Sequence, residues 1–418
     1  MKPQFILATA ALLVAAAWLM AQSVSAQEEG PPPSAGTKIA EGLAGSQGAA
    51  IGPDGALYVT LSGTGGDTEV TPPDDFPPDE PVPTFGLTGT VARIDPATGE
   101  VTTAGSGLPS IGGEEGAGGA VDVAFMGSTM YVLTTGDADE FGQEEWPNGI
   151  YRVAGSDVEL IANIGEFNRD NPVDFPDAGP GGNPFAIDVR GTEFYVTDGN
   201  HNRVLRATTA GAASIVTTFD NVVPTGLETG SSGPILMTQF GAFPQTAANS
   251  FVVSVALPTG NATNVASGFA QLIDVENGPG GTYALQFGST DTSPDGDPFS
   301  GKILTLAGST LTPLVTGFML PTSLDFSGDT AYVTTLLGEV WQIEDFSTVE
   351  PPPAVQPTPV VPVEPGVAPT ATPRTGVTAP DTGTGPGGGN HNVMLLVALA
   401  IGAIGMATGA VAVATRRA

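Results

Sequence analysis

Cysteine is missing from all 418 positions of the chain. Its absence excludes disulfide bridges, thiol chemistry and a lipidated N-terminal cysteine, so a folded region must be held by its apolar core. Histidine is nearly missing. With His201 and His391 the chain has too few for a histidine-based triad or a histidine-rich metal site. Positive charge is scarce as well: 12 Lys and Arg stand against 44 Asp and Glu, a formal net charge of -32. Such a chain repels phosphate, which argues against nucleic acid as a partner and favours a cation or a basic partner. Acid also keeps an exported protein soluble, and that plain role accounts for most of the charge.

Two apolar runs mark the ends. Residues 1–26 read as a secretory signal: Lys2 is the positive start, Phe5 to Met20 the apolar stretch, and Val24-Ser25-Ala26 a small-residue cleavage site. A short disordered lead, 27–36, follows. At the other end, 393–415 carries no charge and precedes Arg416 and Arg417 in the tail 416–418. At ~1.5 Å per residue, this run is about 34 Å long, enough to cross a bilayer as one transmembrane helix. The two arginines place the C-terminus in the cytoplasm and the bulk outside. Residues 347–392 are rich in Pro, Thr and Gly and cannot build a core. As a proline-rich extended linker they reach up to roughly 140 Å, a disordered stalk. Within it, Ala379-Pro380-Asp381-Thr382-Gly383 resembles the LPxTG signal of sortase substrates, with Ala where Leu is the rule. The plain membrane anchor is therefore preferred to cell-wall attachment.

The region 37–346 is repetitive. Five of the six tyrosines stand in one column, at Tyr58, Tyr131, Tyr195, Tyr283 and Tyr332, each within a short apolar run. A preceding run carries an acid in five units: Asp122, Asp188, Glu228, Asp274 and Asp325, with Ala50-Ile51-Gly52 as the sixth member. Third runs follow at Val91–Ile94, Ile150–Val153, Val204–Ala207, Phe251–Val255, Ile303–Leu306 and Val340–Ile343. Fourth runs fall near Val101–Ala104, Glu159–Ile161, Ile215–Phe219 and Leu314–Val315. The last unit lacks its outer strand, and Thr37–Leu43 supplies one. The pattern predicts an all-β fold: a six-bladed β-propeller of four-stranded blades, its ring closed by the N-terminal strand.

The turn Tyr195-Val196-Thr197-Asp198 followed by Asn202-Arg203-Val204 resembles the NHL repeat. That resemblance implies that Asp198 pairs across the turn with Arg203. The layout of Gly52–Thr60 and Leu320–Phe326 is similar to the ScyD/ScyE family of exported propeller proteins associated with scytonemin-type pigment gene clusters. The resemblance implies the fold and an extracytoplasmic setting.

Chemistry is expected in the long insertions, Ser62–Gly86, Thr134–Asn148, Glu166–Gly182, Gln239–Asn249 and Gln286–Gly301, all placed on one face. They are acidic, and oxygen-only clusters suit calcium. Asp291 to Asp297 alternates ligand types but lacks the full calcium-loop spacing. The acids Asp122, Asp188, Glu228, Asp274 and Asp325 face the central channel. They either ring an axial cation or accept backbone N–H bonds from the next blade; the second, structural reading carries more weight. His201 sits in a polar turn and is read as solvated.

The functional reading is a membrane-anchored binding or scaffold module acting through its acidic loop face on a small molecule or a surface partner. The alternative is an extracytoplasmic enzyme, either calcium-dependent and lactonase-like or acting on a pigment precursor. A third reading is a structural protein of the cell envelope.

Overall fold

A computed structural model describes residues 32–352 apart from 74–75, 77–80, 114–115, 176–177 and 289–299. The signal, the transmembrane run and the linker beyond 352 lie outside the described residues. So do Asp74, Asp75, Asp79, Glu80, Asp177, the 291–297 segment and His391. Among the described residues no helix is long and apolar enough to cross a membrane.

Six sheets form the propeller. Blade 2 is Ala120–Met126, Thr129–Thr134, Gly149–Ala154 and Asp157–Asn163. Blade 3 is Pro184–Arg190, Glu193–Asp198, Arg203–Thr208 and Ala213–Thr218, and blade 4 is Pro224–Glu228, Ile235–Gln239, Phe251–Ala256 and Asn261–Ala266. Blade 5 is Leu272–Gly278, Gly281–Gln286, Gly301–Ala307 and Thr310–Phe318. Blade 6 is Pro321–Ser327, Thr330–Thr335 and Val340–Ile343, completed by Thr37–Ala40, whose Lys38 stands opposite Trp341. The N-terminal strand thus closes the ring and removes a sheet edge.

Blade 1 departs from the expected four strands. Its core is Ser46–Ile51, Leu57–Leu61, Thr84–Ile94 and Val101–Gly113, and Thr68–Glu69 and Gly116–Gly118 add two more to the sheet. Part of the Ser62–Gly86 insertion is therefore β structure: Phe85 pairs with Ile111, well beyond the run that starts at Val91. The cause is local. Phe85 and Ile111 are buried in a separate apolar cluster with Ala138 and Phe141 of the neighbouring loop, so extending the hairpin covers apolar surface that a free loop would expose. The outer strand of blade 4, Asn261–Ala266, has no apolar alternation and is mostly exposed, which is why its sequence carries no strand signal.

The core lies between the blades. Val91, Val123, Val132 and Val153 fill the joint of blades 1 and 2, and Leu133, Ile150, Val196 and Leu205 that of blades 2 and 3. Val252, Leu272, Val275, Ala284 and Leu304 fill the joint of blades 4 and 5. The tyrosine column is part of this packing. Tyr58 meets Phe125 at 4.8 Å and Tyr131 meets Phe194 at 4.7 Å, each edge-on and each across a joint. A repeat that buries its apolar side chains only against its neighbours has to stack, and here it stacks into a ring.

Candidate functional site

Each inner strand turns alternate side chains toward the central channel, so residues two apart share that side. Hairpin register divides the channel lining into two rings. Ala50, Ala124, Asp188, Glu228, Glu276 and Asp325 stand opposite Tyr58, Tyr131, Tyr195, Leu236, Tyr283 and Tyr332. Two residues earlier on the same strands are Gly48, Asp122, Ala186, Gly226, Asp274 and Ser323, and these six line one small cavity of about 20 Å³. That volume is close to the space one water needs. The five acids aligned by sequence therefore do not stand at one level: Asp122 and Asp274 belong to the second ring and Asp188, Glu228 and Asp325 to the first. Glu276, absent from that set, completes the first ring. A two-residue slip keeps the same face, so motif alignment alone does not detect it.

Four of these carboxylates are bound in one way. One oxygen accepts the N–H of the following residue, and the other accepts an N–H from the next blade. Asp122 accepts from Val123 (2.8 Å) and Ile187 (2.8 Å), and Asp188 from Val189 (2.6 Å) and Thr229 (2.7 Å). Asp274 accepts from Val275 (2.9 Å) and Leu324 (2.8 Å), and Asp325 from Phe326 (2.5 Å) and Ile51 (2.5 Å). Each is an inter-blade latch, satisfying two backbone donors in the channel wall.

Glu228 departs from the pattern. Its register position, opposite Leu236, corresponds to that of Glu276 opposite Tyr283 in blade 5.

Burial raises the carboxyl pKa values in the channel. Protein surrounds these groups even where their surfaces reach the channel, and the charged form is poorly solvated. Asp274 is pushed up to about 7 by burial, partly offset by the N–H bonds from Leu324 and Val275, with Asp325 and Glu228 adding repulsion. Asp325 is pushed up to about 7 by burial, against the N–H bonds from Ile51 and Phe326. Burial likewise raises Asp122 and Asp188. Glu276 is raised by burial and then by the charges of Asp274 and Asp325. Among the described residues no group of three or more His, Asp or Glu side chains is placed to hold a metal ion.

The long loops meet on the face where the inner strands begin. Thr71 of the blade 1 insertion donates its N–H to Phe141 O (3.1 Å). The blade 2–3 connection opens with helix α1 (Ile164–Asp170), capped by Asn163, whose Oδ1 accepts the Glu166 N–H at 2.8 Å. Arg169 on this helix reaches back to Asp139 (2.5 Å) and Glu140 (2.8 Å) of the blade 2 loop. Asp67, Glu69, Glu144, Glu145, Asp170 and Asp174 remain exposed on this face.

Beneath it the NHL-like turn is braced differently from the expected direct pair. Asn168 of α1 stands between Asp198 and Arg203: its Nδ2 donates to Asp198 Oδ2 (2.6 Å), and its Oδ1 accepts from the Arg203 guanidinium. Arg203 also donates to Asn171 O (2.9 Å) and lies over the Phe167 ring. His201 is buried, not solvated. The 178–182 segment folds over it, and its Nε2–H donates to Gly179 O at 2.8 Å. His201 Nδ1 and Asp139 Oδ1 are buried without a hydrogen-bond partner. Asp137, buried under the same loops, has its carboxyl pushed well up by burial and by Asp139 and Glu140.

No family model and no curated protein matches the chain. Solved structures do match. The PQQ-bound aldose sugar dehydrogenase of Streptomyces coelicolor is 16% identical, over 75% of this chain and 99% of that one, with a TM-score of 0.47. Virginiamycin B lyase of Staphylococcus aureus is 12% identical, over 74% and 97%, with a TM-score of 0.43. A chain of the nidogen/laminin complex is 13% identical, over 64% and 95%, with a TM-score of 0.42. At such identities the likeness is one of fold alone.

Proposed function

We propose that this chain is a membrane-anchored, ScyD/ScyE-like binding or scaffold module that presents its acidic loop face away from its anchor to a cationic partner. The observation that carries the reading is the polarity of the ring. The last strand ends at Ile343, beside the hairpin turn of blade 6, where Phe346 N–H donates to Asp329 O (2.9 Å) and Ser347 Oγ to Asp329 Oδ2 (2.7 Å). Thr37 pairs with Gln342 on that same side. The C-terminal end of the described chain thus leaves from the hairpin face, opposite the long loops. A linker leaving there holds the loop face outward.

Charge supports the choice of partner. Every Lys and Arg among the described residues is engaged internally. Lys38 pairs with Glu41 and Glu339, Arg93 with Asp54, Arg152 with Glu159, and Arg206 with Glu193. Arg169 and Arg203 belong to the loop brace, while Arg190 and Lys302 donate to backbone carbonyls. The exposed carboxylates are left without matching cations of their own on the loop face, a surface suited to amines and basic peptides rather than to phosphate or sulfate.

The test is binding of polylysine and of heparin to the full chain in nanodiscs, followed by interferometry. Polylysine is expected to bind, more weakly as salt rises, and to lose most of its signal on Glu144→Lys with Glu145→Lys and Asp67→Lys. Equal binding of heparin, or polylysine binding untouched by the triple substitution, overturns the proposal.

A further inference from the structure

Each blade ends in an outer strand that is bonded on one side, and the ring covers the other side blade by blade. In blade 1, Ser106 N–H donates to Gly155 O of the blade 2 turn (2.9 Å). In blades 2 and 3 the glycine turn of the next blade lies on the strand. A Cβ on Gly211 would come within 2.9 Å of Ile161 O, and one on Gly260 would press still closer on Val216 O. Gly99 of the blade 1 turn meets Ile39 O of the closing strand in the same way. Blade 5 is covered by the lead into that strand: Ser34 N–H donates to Thr316 O (2.8 Å), and Thr316 N–H to Ser34 Oγ (3.0 Å).

Blade 4 is the exception. Among the described residues, its outer strand Asn261–Ala266 meets the blade 5 turn past its own end, at the bridge of Ser267 with Thr310. Gly308, the glycine of that turn, has nothing within 4 Å of where its Cβ would stand. Asn261, Ala262, Thr263 and Asn264 are exposed. The strand also carries no charge and no proline, the usual protections of an edge. The outer strand of blade 2 has Asp157 and Glu159, that of blade 5 has Pro313, and the closing strand has Lys38.

The neutrality extends beyond the strand. No Asp, Glu, Lys or Arg stands between Glu228 and Asp274, and none stands in the flanking outer strands, Ala213–Thr218 and Thr310–Phe318. This uncharged sector belongs to a chain of net charge -32.

We propose that the bare edge of blade 4 binds a second copy of this chain, Asn261–Ala266 adding antiparallel to its own copy about a two-fold axis. Charge selects the occupant. A cationic partner gains from acidic surface and has no need of a neutral one. A partner as acidic as this chain is repelled wherever acid meets acid, and it can approach where both surfaces are uncharged. The strand suits itself as well: its outward N–H and C=O groups complement those of an antiparallel copy, and its Asn and Thr side chains both donate and accept. One short strand pair is smaller than a permanent interface, so the dimer is weak and forms as concentration rises.

Light scattering of the full chain in detergent micelles, over a range of protein and salt concentrations, tests the edge. The protein mass is expected to rise toward that of a dimer with concentration, and to do so more readily at high salt, where the mutual repulsion is screened. Ala262→Glu with Asn264→Glu, both at exposed positions, should weaken the dimer by about tenfold or more. Val101→Glu with Thr102→Glu, on the covered edge of blade 1, should leave it unchanged. Because the chain has no cysteine, Thr263→Cys should give an oxidised dimer and Thr102→Cys should not. A chain that stays monomeric at every salt concentration overturns the proposal, as does a dimer that withstands the blade 4 glutamates or cross-links equally through both cysteines. The loop-face reading stands or falls separately, since polylysine binding weakens with salt while this contact strengthens.

Discussion

Blades 1–3 and blades 4–6 are two versions of one design. In the cavity-lining ring the first half reads Gly48, Asp122, Ala186 and the second Gly226, Asp274, Ser323. The latches follow the same order, with glycine at the first joint and aspartate at the next two. The halves part at Ala186 and Ser323, and again where Ala50 and Ala124 correspond to Glu228 and Glu276. Since the first half closes with alanines, the propeller does not need glutamates there. The pair is an addition to the fold, at equivalent positions of neighbouring blades. The comparison therefore separates what holds the ring from what was placed in it.

The largest test breaks the halves apart. The ring is closed by a strand from outside the last repeat, with Thr37–Ala40 on Val340–Ile343 and Lys38 bridging Glu339 at 3.2 Å. A chain beginning at Gly45 would leave that edge open and uncover Trp341 and Val340. The expected loss is on the scale of the whole stability, about 5 kcal/mol or more, seen as loss of the cooperative thermal transition. A transition unchanged by the truncation would mean that six incomplete blades close without the strand.

The next test sets blade 3 against blade 6 at the same turn. In blade 3 the brace is the buried Asn168, bonded to Asp198, Gly181 O and Arg203. In blade 6 it is Glu339, partly exposed, bonded to Lys38 and to Trp341 Nε1 (3.0 Å). Asn168→Ala strands a buried arginine and a buried aspartate, so about 3 kcal/mol is expected in a urea titration. Glu339→Ala is expected to cost about 1 kcal/mol or less. Equal costs would show that the blade 3 network is no more than a surface brace.

How much of this was legible in the chain follows from which contacts are local. The tyrosine column and the run before it are short-range patterns, so blade number and ring closure could be read directly. Asn168 could not be found from the turn it serves, because it lies 30 residues before Asp198. His201 was misread for the same reason: the segment that buries it comes from the preceding connection. Glu276 was hidden by a stronger local match, since Ile273-Asp274-Val275 resembles Ile187-Asp188-Val189 while the register places Glu276, not Asp274, opposite the tyrosine. The i, i+2 spacing of Asp274 and Glu276 was the signal that both line the channel. The spread of Phe85 and Ile111 into a longer hairpin depended on a neighbouring blade's loop and left no periodicity to read.

A smaller effect probes the glycine joints. Gly226→Ala places a methyl against Asp274 Cα and within 2.8 Å of Ile273 O, whereas the methyl of Gly48→Ala meets mainly the Asp122 carboxyl and its Cα. Backbone yields less than side chain. Both substitutions should destabilise by about 1–3 kcal/mol, Gly226 the more, read from the midpoint in urea. A tolerated Gly226→Ala would mean the two joints are not equivalent.

The smallest effect sharpens the remaining difference. A carboxyl whose folded-state pKa is raised gives stability that is complete below its unfolded pKa and lost as pH rises through the folded one. Asp274 and Asp325, both pushed up to about 7, place that loss between about pH 4 and 7, and Asp122, Asp188 and Glu276 act in the same direction. The melting temperature should therefore rise as pH falls from 8 to 5. Glu228→Ala with Glu276→Ala should flatten part of that slope and leave the share due to the four aspartates. Ala50→Glu with Ala124→Glu should steepen it, with its penalty larger at pH 8 than at pH 5, because it builds the same pair at the other latch-free joint. If the transplanted pair carries no pH dependence, the raised pKa of Glu276 depends on Asp274 and Asp325 beside it and not on the geometry of the joint.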